Sequence, residues 1–343
     1  MKSPMYAINS FSLSFNNSRL PLTFLLLALV LTGGCVVKDM GNVVKHGFTG
    51  EHFLVTEEYS RGVKNFKQEV AENPDSVLAN YYYGRFLLAD KQYKEALPYL
   101  IKARSLDPDN PDYHFWLGVV YGSLGKKIPE KKSYLKALSL KKDHLQSLIY
   151  LGHNQLESKD YTKALGNYTK ALKLWPASPS SLYNRALIVT KLGRKPEALD
   201  GWLDYLSYYP SGAMARQAVT HLNSLDNFSF RNYRLASRTV TVEKIYFEPF
   251  TSKIDKDSHP SLELIGAIFS NMKKGRLQIV VYQLKNKELA RQKALSIKKF
   301  LLKEYPDING KTIGVSWFGS PEIIKRTKGE KKINDSVLFF TTT

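Results

Sequence analysis

Residues 81–108 read YYYGRFLLADKQYKEALPYLIKARSLDP, and the chain says nearly the same thing again 34 residues later, FWLGVVYGSLGKKIPEKKSYLKALSLKK over 115–142. Gly84, Gly118 and Gly152 keep that interval, and Ala186 stands where a fourth glycine would fall. A residue no larger than a methyl at this spot lets a second helix cross close to the first. Twelve residues on lie Ala96, Ala164 and Ala198, with Glu130 breaking the series. Sixteen residues on come the large side chains Leu100, Tyr134, Tyr168 and Trp202. Ala103, Ala137 and Ala171 follow, and Pro108, Pro176 and Pro210 end three of the units. Each period holds two short amphipathic helices, too small to bury an apolar stripe until a neighbour stacks on it.

This Gly, Tyr, Ala, Pro order at a period of 34 resembles the tetratricopeptide repeat family over four units, residues 77–212. The resemblance implies an all-α superhelix. One period further back, Gly50, Gly62, Phe66 and Pro74 hold the same offsets, so residues 43–76 read as a degenerate first unit. Residues 35–76 then make a tether plus that unit, and 77–225 the repeat domain, closed by a capping helix over 211–225. The aromatic expected four residues before each glycine is replaced by Asn80, His114, Leu148 and Leu182, and Lys142 replaces a proline.

In the repeat family the first helix of each unit faces the concave side. Residues 34 apart on that helix form two rows, Tyr81, Phe115, Ile149 and Tyr183 in one, Arg85, Val119, His153 and Leu187 in the other. The expectation is an open, largely apolar groove for a protein or peptide partner. Arg85 and His153 argue against a sealed core there, because an unpaired buried charge is costly. The alternative, side chains buried by their neighbours, is the commoner fate of an aromatic stripe.

At the N-terminus, 1–34 contains no acid and carries an apolar stretch from Leu22 to Leu31, about half the ~20 residues a membrane-spanning helix needs. It ends Thr32-Gly33-Gly34-Cys35, which resembles a bacterial lipobox, and Cys35 is the chain's one cysteine. The resemblance implies a signal peptide over 1–34, lipidation of Cys35 and membrane attachment through the acyl chains. Val36 follows, not the aspartate that holds a lipoprotein at the inner membrane. The implied address is the outer membrane of a Gram-negative cell, facing the periplasm.

Beyond a polar linker at 226–238 the pattern turns from helical to alternating. Strands are expected over Val240–Phe247, Leu277–Tyr282, Ile313–Phe318 and Val337–Phe340, with helices over Leu262–Met272 and Lys287–Glu304. The motifs Ile245-Tyr-Phe-Glu-Pro-Phe, Asn286-Lys-Glu-Leu, Phe318-Gly-Ser-Pro and Asn334-Asp-Ser-Val resemble the OmpA-like domain, here a divergent α+β domain over 239–343. That family grips the peptidoglycan stem peptide with an aspartate and an arginine. The loop Gln283-Leu-Lys285 has no acid, Lys293 stands at the arginine position, and Asn334 opens the last motif. An ammonium lacks the two-pronged carboxylate contact of a guanidinium, so peptidoglycan binding is expected to be weak.

The formal net charge is +19, and from residue 227 onward 22 basic residues face 11 acidic ones, densest at Lys325, Arg326, Lys328, Lys331 and Lys332. Such a surface suits anionic glycan or lipid. Nucleic acid is not expected in an exported chain. No glycine-rich phosphate loop or metal-binding His or Cys spacing occurs, so neither cofactor, metal nor catalysis is expected. The functional expectation is a lipid-anchored periplasmic adaptor. A peptidoglycan tether, or a pilotin-like assembly factor for a pilus or secretion apparatus, is the alternative.

Overall fold

The computed structural model describes residues 47–272, 274–326 and 329–342. Cys35 and the signal segment lie outside the described residues. The chain divides into two compact units between Trp175 and Pro176.

The first unit is helical. After α1, helical over residues 47–55, come α2 (Tyr59–Glu72), α3 (Val77–Ala89), α4 (Tyr93–Leu106), α5 (Pro111–Ser123), α6 (Lys127–Leu140), α7 (Leu145–Glu157) and α8 (Tyr161–Leu174). α3 packs on α4, α5 on α6 and α7 on α8. The small residues work as close-approach points: a Cβ on Gly84 would strike Leu100, one on Gly118 would strike Tyr134, and one on Gly152 would strike Tyr168. Gly50 and Gly62 abut the rings of Tyr82 and Phe86 in the same way.

Two further features keep the 34-residue interval. The residues preceding α3, α5 and α7 are Ser76, Asn110 and His144, each accepting a first-turn backbone N–H through its side chain. The turn inside each helix pair places one residue in the left-handed region: Glu57, Lys91, Gly125 and Lys159. Only one of the four is glycine, so the others carry backbone strain that the packed hairpins hold in place.

Departures from the repeat pattern are compensated locally. Asn80 donates to the carbonyls of Pro74 and Ser76, and the His114 ring bonds the Pro108 carbonyl, fixing the incoming turns in place of an aromatic. Glu130, buried where the other units have alanine, faces Gly122, whose missing side chain leaves it room. It accepts from Asn154 at 3.0 Å and pairs with Lys127 at 3.4 Å. Burial nonetheless raises its carboxyl above the usual range.

The second unit begins with α9 (Pro179–Lys191), α10 (Lys195–Tyr208) and α11 (Gly212–Ser224). Here the close approach is reversed: Ala186 stands where the glycine was, and Gly201 on the facing helix makes the room. The turn again goes left-handed, at Gly193. α11 packs on β1 (Phe230–Leu235) and β2 (Arg238–Glu243), an antiparallel hairpin. The stretch read as a linker therefore contains a strand. Its polar residues have partners: Asn232 donates to the Arg216 carbonyl and accepts from Thr241, and Tyr233 donates to the Val337 carbonyl.

Then follow α12 (His259–Ser270), β3 (Arg276–Gln283), α13 (Lys287–Glu304), β4 (Ile313–Phe318), β5 (Glu322–Lys325), β6 (Glu330–Ile333) and β7 (Asp335–Thr342). β3 lies between β4, parallel to it, and β7, antiparallel to it, while β5 and β6 pair as a separate hairpin. α13 packs on β3 and β4, burying Ala290, Ala294, Ile297 and Leu301 against Leu277, Ile279 and Val281. Of the cationic run, Lys325, Lys331 and Lys332 lie in this β5–β6 hairpin.

Candidate functional site

The first row does not form an open ladder. In the first unit Tyr81, Phe115 and Val119 are buried, Phe115 with 4% of its surface exposed. Phe115 meets Trp116, Tyr134, His144 and Tyr150, with centroids 5.2 to 5.9 Å apart. Trp116 and Tyr134 belong to its own repeat and His144 and Tyr150 to the next, so stacking closes the row. Ile149 and His153 stay partly exposed. In the second unit Tyr183 is buried against Trp202 and Tyr205, its hydroxyl donating to Gln217 at 2.8 Å, while Leu187 is partly exposed.

One step along the helix lies a different row. Tyr82, Trp116 and Tyr150 recur 34 apart, Tyr82 buried and the other two partly exposed. The Arg85 guanidinium sits 4.3 Å from the Trp116 ring centroid and 5.1 Å from that of Tyr81. Its Nη1 donates to Glu51 and to the Tyr81 hydroxyl, both at 3.1 Å. The argument that an unpaired guanidinium would keep the row open does not apply, for Glu51 from α1 is its ion partner. Arg85 Nε has no hydrogen-bond partner among the described residues. Burial pushes the Tyr81 hydroxyl up to about 12, so it remains a neutral donor and acceptor.

From Trp116 the contacts run on through Phe115 and Tyr150 to His153. Burial holds the His153 ring down at about 4, so it is neutral near pH 7. Beside this row His144 accepts the Ser147 N–H at Nδ1, leaving Nε2 to donate to Asp112 at 2.9 Å. That bond, first among its causes, holds the Asp112 carboxyl below the usual range. The arrangement is an aromatic surface edged by one guanidinium and two exposed carboxylates, Glu51 and Asp112. It contains no nucleophile with an adjacent base. The signal for it was in the sequence, as Tyr82, Trp116 and Tyr150 at the same interval, one residue past the row first read.

In the second unit, the two residues carried over from the wall-binding resemblance differ in exposure. Lys293 is 5% exposed. Its ammonium donates to Gln283 Oε1 at 2.6 Å and to Asp335 at 3.3 Å, and lies 4.7 Å from the Phe247 centroid. Asn334 is exposed on the neighbouring turn. Among the described residues no group of His, Cys, Asp and Glu is placed to hold a metal, and no helix is long and apolar enough to cross a membrane.

Family models described as TPR repeat or tetratricopeptide repeat match residues 84–125, 111–144 and 151–213. Among curated proteins, the human protein O-mannosyl-transferase TMTC3 is 29% identical over 129 residues, 36% of this chain and 13% of that protein. Mouse Superkiller complex protein 3 is 28% identical over 127 residues, 35% of this chain and 8% of that one. The chain thus spans a small fraction of the length of the curated relatives it matches. Among solved structures, YrrB, described as a TPR protein with an unusual peptide-binding site, aligns with a TM-score of 0.44 at 16% identity, over 54% of this chain and 95% of that one. A thermophilic TPR protein of Thermus thermophilus aligns with a TM-score of 0.43 at 18% identity, over 52% of this chain and 98% of that one. The family matches and the paired helices at a 34-residue period agree: residues 84–144 and 151–213 of this chain are tetratricopeptide repeats.

Proposed function

We propose that the chain is an adaptor that holds a protein or extended peptide against the partly exposed Arg85, Trp116, Tyr150 and His153 side of its first unit. The observation that carries this reading is the Arg85–Trp116 stack. An arginine guanidinium 4.3 Å from the ring centroid of a partly exposed tryptophan is the pairing of residue types that dominates binding energy at protein interfaces. Repeat arrays supply such side chains on a preformed surface, so little ordering is needed on association. A photo-crosslinking amino acid at Trp116 should trap a discrete partner in cells, while the same group at exposed Lys170 on α8 should not. Equal labelling from both positions would refute the reading.

The adaptor is proposed to work at the bacterial envelope, tethered by a lipid on Cys35, with the C-terminal region a divergent OmpA-like domain. The apolar stretch from Leu22 to Leu31 and the lone Cys35 after Thr32-Gly33-Gly34 support the tether. Cys35→Ser should release the protein from the membrane fraction, and unchanged retention would rule the lipid out as anchor. Peptidoglycan tethering ranks second, because the Lys293 ammonium is already spent on Gln283 and Asp335.

A further inference from the structure

A cavity of about 400 Å³ opens in the second unit between the loop that enters β1, the strand end at Lys244–Tyr246 and the β6–β7 turn. It contains no residue of the 283–286 loop or of α13, and it adjoins the Lys293 position through Asp335, which is in its lining. Its lining carries more cations than anions, Arg231, Lys244, Lys331 and Lys332 against Asp226 and Asp335, with Ser336 and the Tyr246 ring beside them.

The acids of the lining, and Glu322 beside it, are all paired. Asp226 pairs with Arg326 and Glu322 with Arg231, while Asp335 is shared between Lys293 at 3.3 Å and Lys244 at 3.9 Å. Lys331 and Lys332 have no ion partner among the described residues. Ser336 supplies an independent observation. It is 4% exposed, yet its hydroxyl has no hydrogen-bond partner among the described residues. A buried hydroxyl left unmet costs free energy unless something from outside bonds it.

The walls are built before any ligand arrives. Asn227 Oδ1 accepts from the Ser229 N–H, Asn223 donates to the carbonyls of Asn227 and Phe230, and Lys244 N–H donates to the Ser229 carbonyl at 2.7 Å. A preformed polar cavity of this volume is the size class that takes a small molecule. Lysine ammoniums act as compact point charges and suit the tetrahedral oxygens of phosphate better than they suit bidentate carboxylate.

We infer that this cavity binds a phosphate monoester on a small polar body, the phosphate between Lys244, Lys331 and Lys332 and the hydroxyl of Ser336, the body beside Tyr246. The phosphate has two possible sources, a lipid headgroup or a free sugar or glycerol phosphate.

The test uses the full-length protein and sn-glycerol 3-phosphate, titrated calorimetrically at fixed ionic strength. Saturable one-site binding is expected, at least tenfold weaker in Lys331→Ala/Lys332→Ala. The charge-matched control Lys299→Ala/Lys303→Ala on α13 should bind as the parent does. If the lysine double variant loses its fold, Lys244→Gln carries the same comparison. Non-saturable binding, or equal weakening in the control, would overturn the site. Flotation with vesicles of phosphatidylcholine alone or with one-tenth phosphatidic acid separates the sources. Flotation that requires phosphatidic acid and Lys331/Lys332 assigns the headgroup; glycerol phosphate binding without flotation assigns the soluble ester.

Discussion

Arg85 in the repeats and Lys293 behind the C-terminal sheet are both cations folded in against aromatic rings, and the two regions complete them differently. Lys293 is consumed: Gln283, Asp335 and the face of Phe247 take up its ammonium, and 5% of the residue is exposed. Arg85 also lies against rings, those of Trp116, Tyr81 and Tyr82, but its ion partner is at the surface. Nη1 carries both of its hydrogen bonds, the Glu51 partner is 57% exposed, and Nε has no partner among the described residues. A cation whose partners are all enclosed fixes a fold, whereas one whose indole and carboxylate partners both reach the surface sits where an outside molecule can meet those partners.

The largest effect expected from that distinction concerns the buried row next to Arg85. Phe115→Ala should cost roughly 3 to 5 kcal/mol in denaturant melts, the range for emptying a packed aromatic site. A loss under ~1 kcal/mol would mean the ring is not core and the row is open after all.

Acid should also find the repeats. The His153 pKa lies near 4 in the folded protein against 6.5 ordinarily, so the unfolded chain binds the extra proton first as pH falls. Stability is therefore full above about 6.5 and is lost as pH falls toward 4, by up to ~3 kcal/mol at 1.36 kcal/mol for each pH unit of separation. Burial lowers His114 and His221 in the same direction. His153→Gln should flatten this slope, and an unchanged slope would assign it to other groups.

For the closed cation, Asp335→Ala strands the Lys293 ammonium on Gln283 alone and should cost roughly 2 kcal/mol, below the range for a fully buried pair because Asp335 is 37% exposed. Lys293→Met should cost less than about 1 kcal/mol, since it removes the charge and keeps the volume. Equal losses from the two would show that the ion pair has net attractive value there.

The helices of the repeats were legible because one glycine series repeats what each hairpin requires. Where the series lapses, at Ala186, the compensating Gly201 lies on the other helix, so the approach survives although its residue has moved. α13 and β4 fall on the residues their apolar periodicity indicated. What the sequence did not yield depends on neighbours distant along the chain. Phe115 is closed by rings from the next repeat, and Trp116 is left partly open although it is the adjacent residue. Lys293 is satisfied by Asp335, 42 residues away. β1 escaped notice because its polar residues pair with α11 and β2, so no alternation of apolar side chains marks it.

The central claim, that the repeats use the Trp116 row and bury the Phe115 row, is tested most directly by Trp116→Ala in the full-length protein, with melting and crosslinked-partner yield read on the same sample. The crosslinker is placed at Tyr150. The account predicts a melting temperature within about 3 °C of the parent, as for an interface residue with little stability role, and at least a tenfold loss of partner yield. A large fall in melting temperature with undiminished yield from the folded fraction would contradict it.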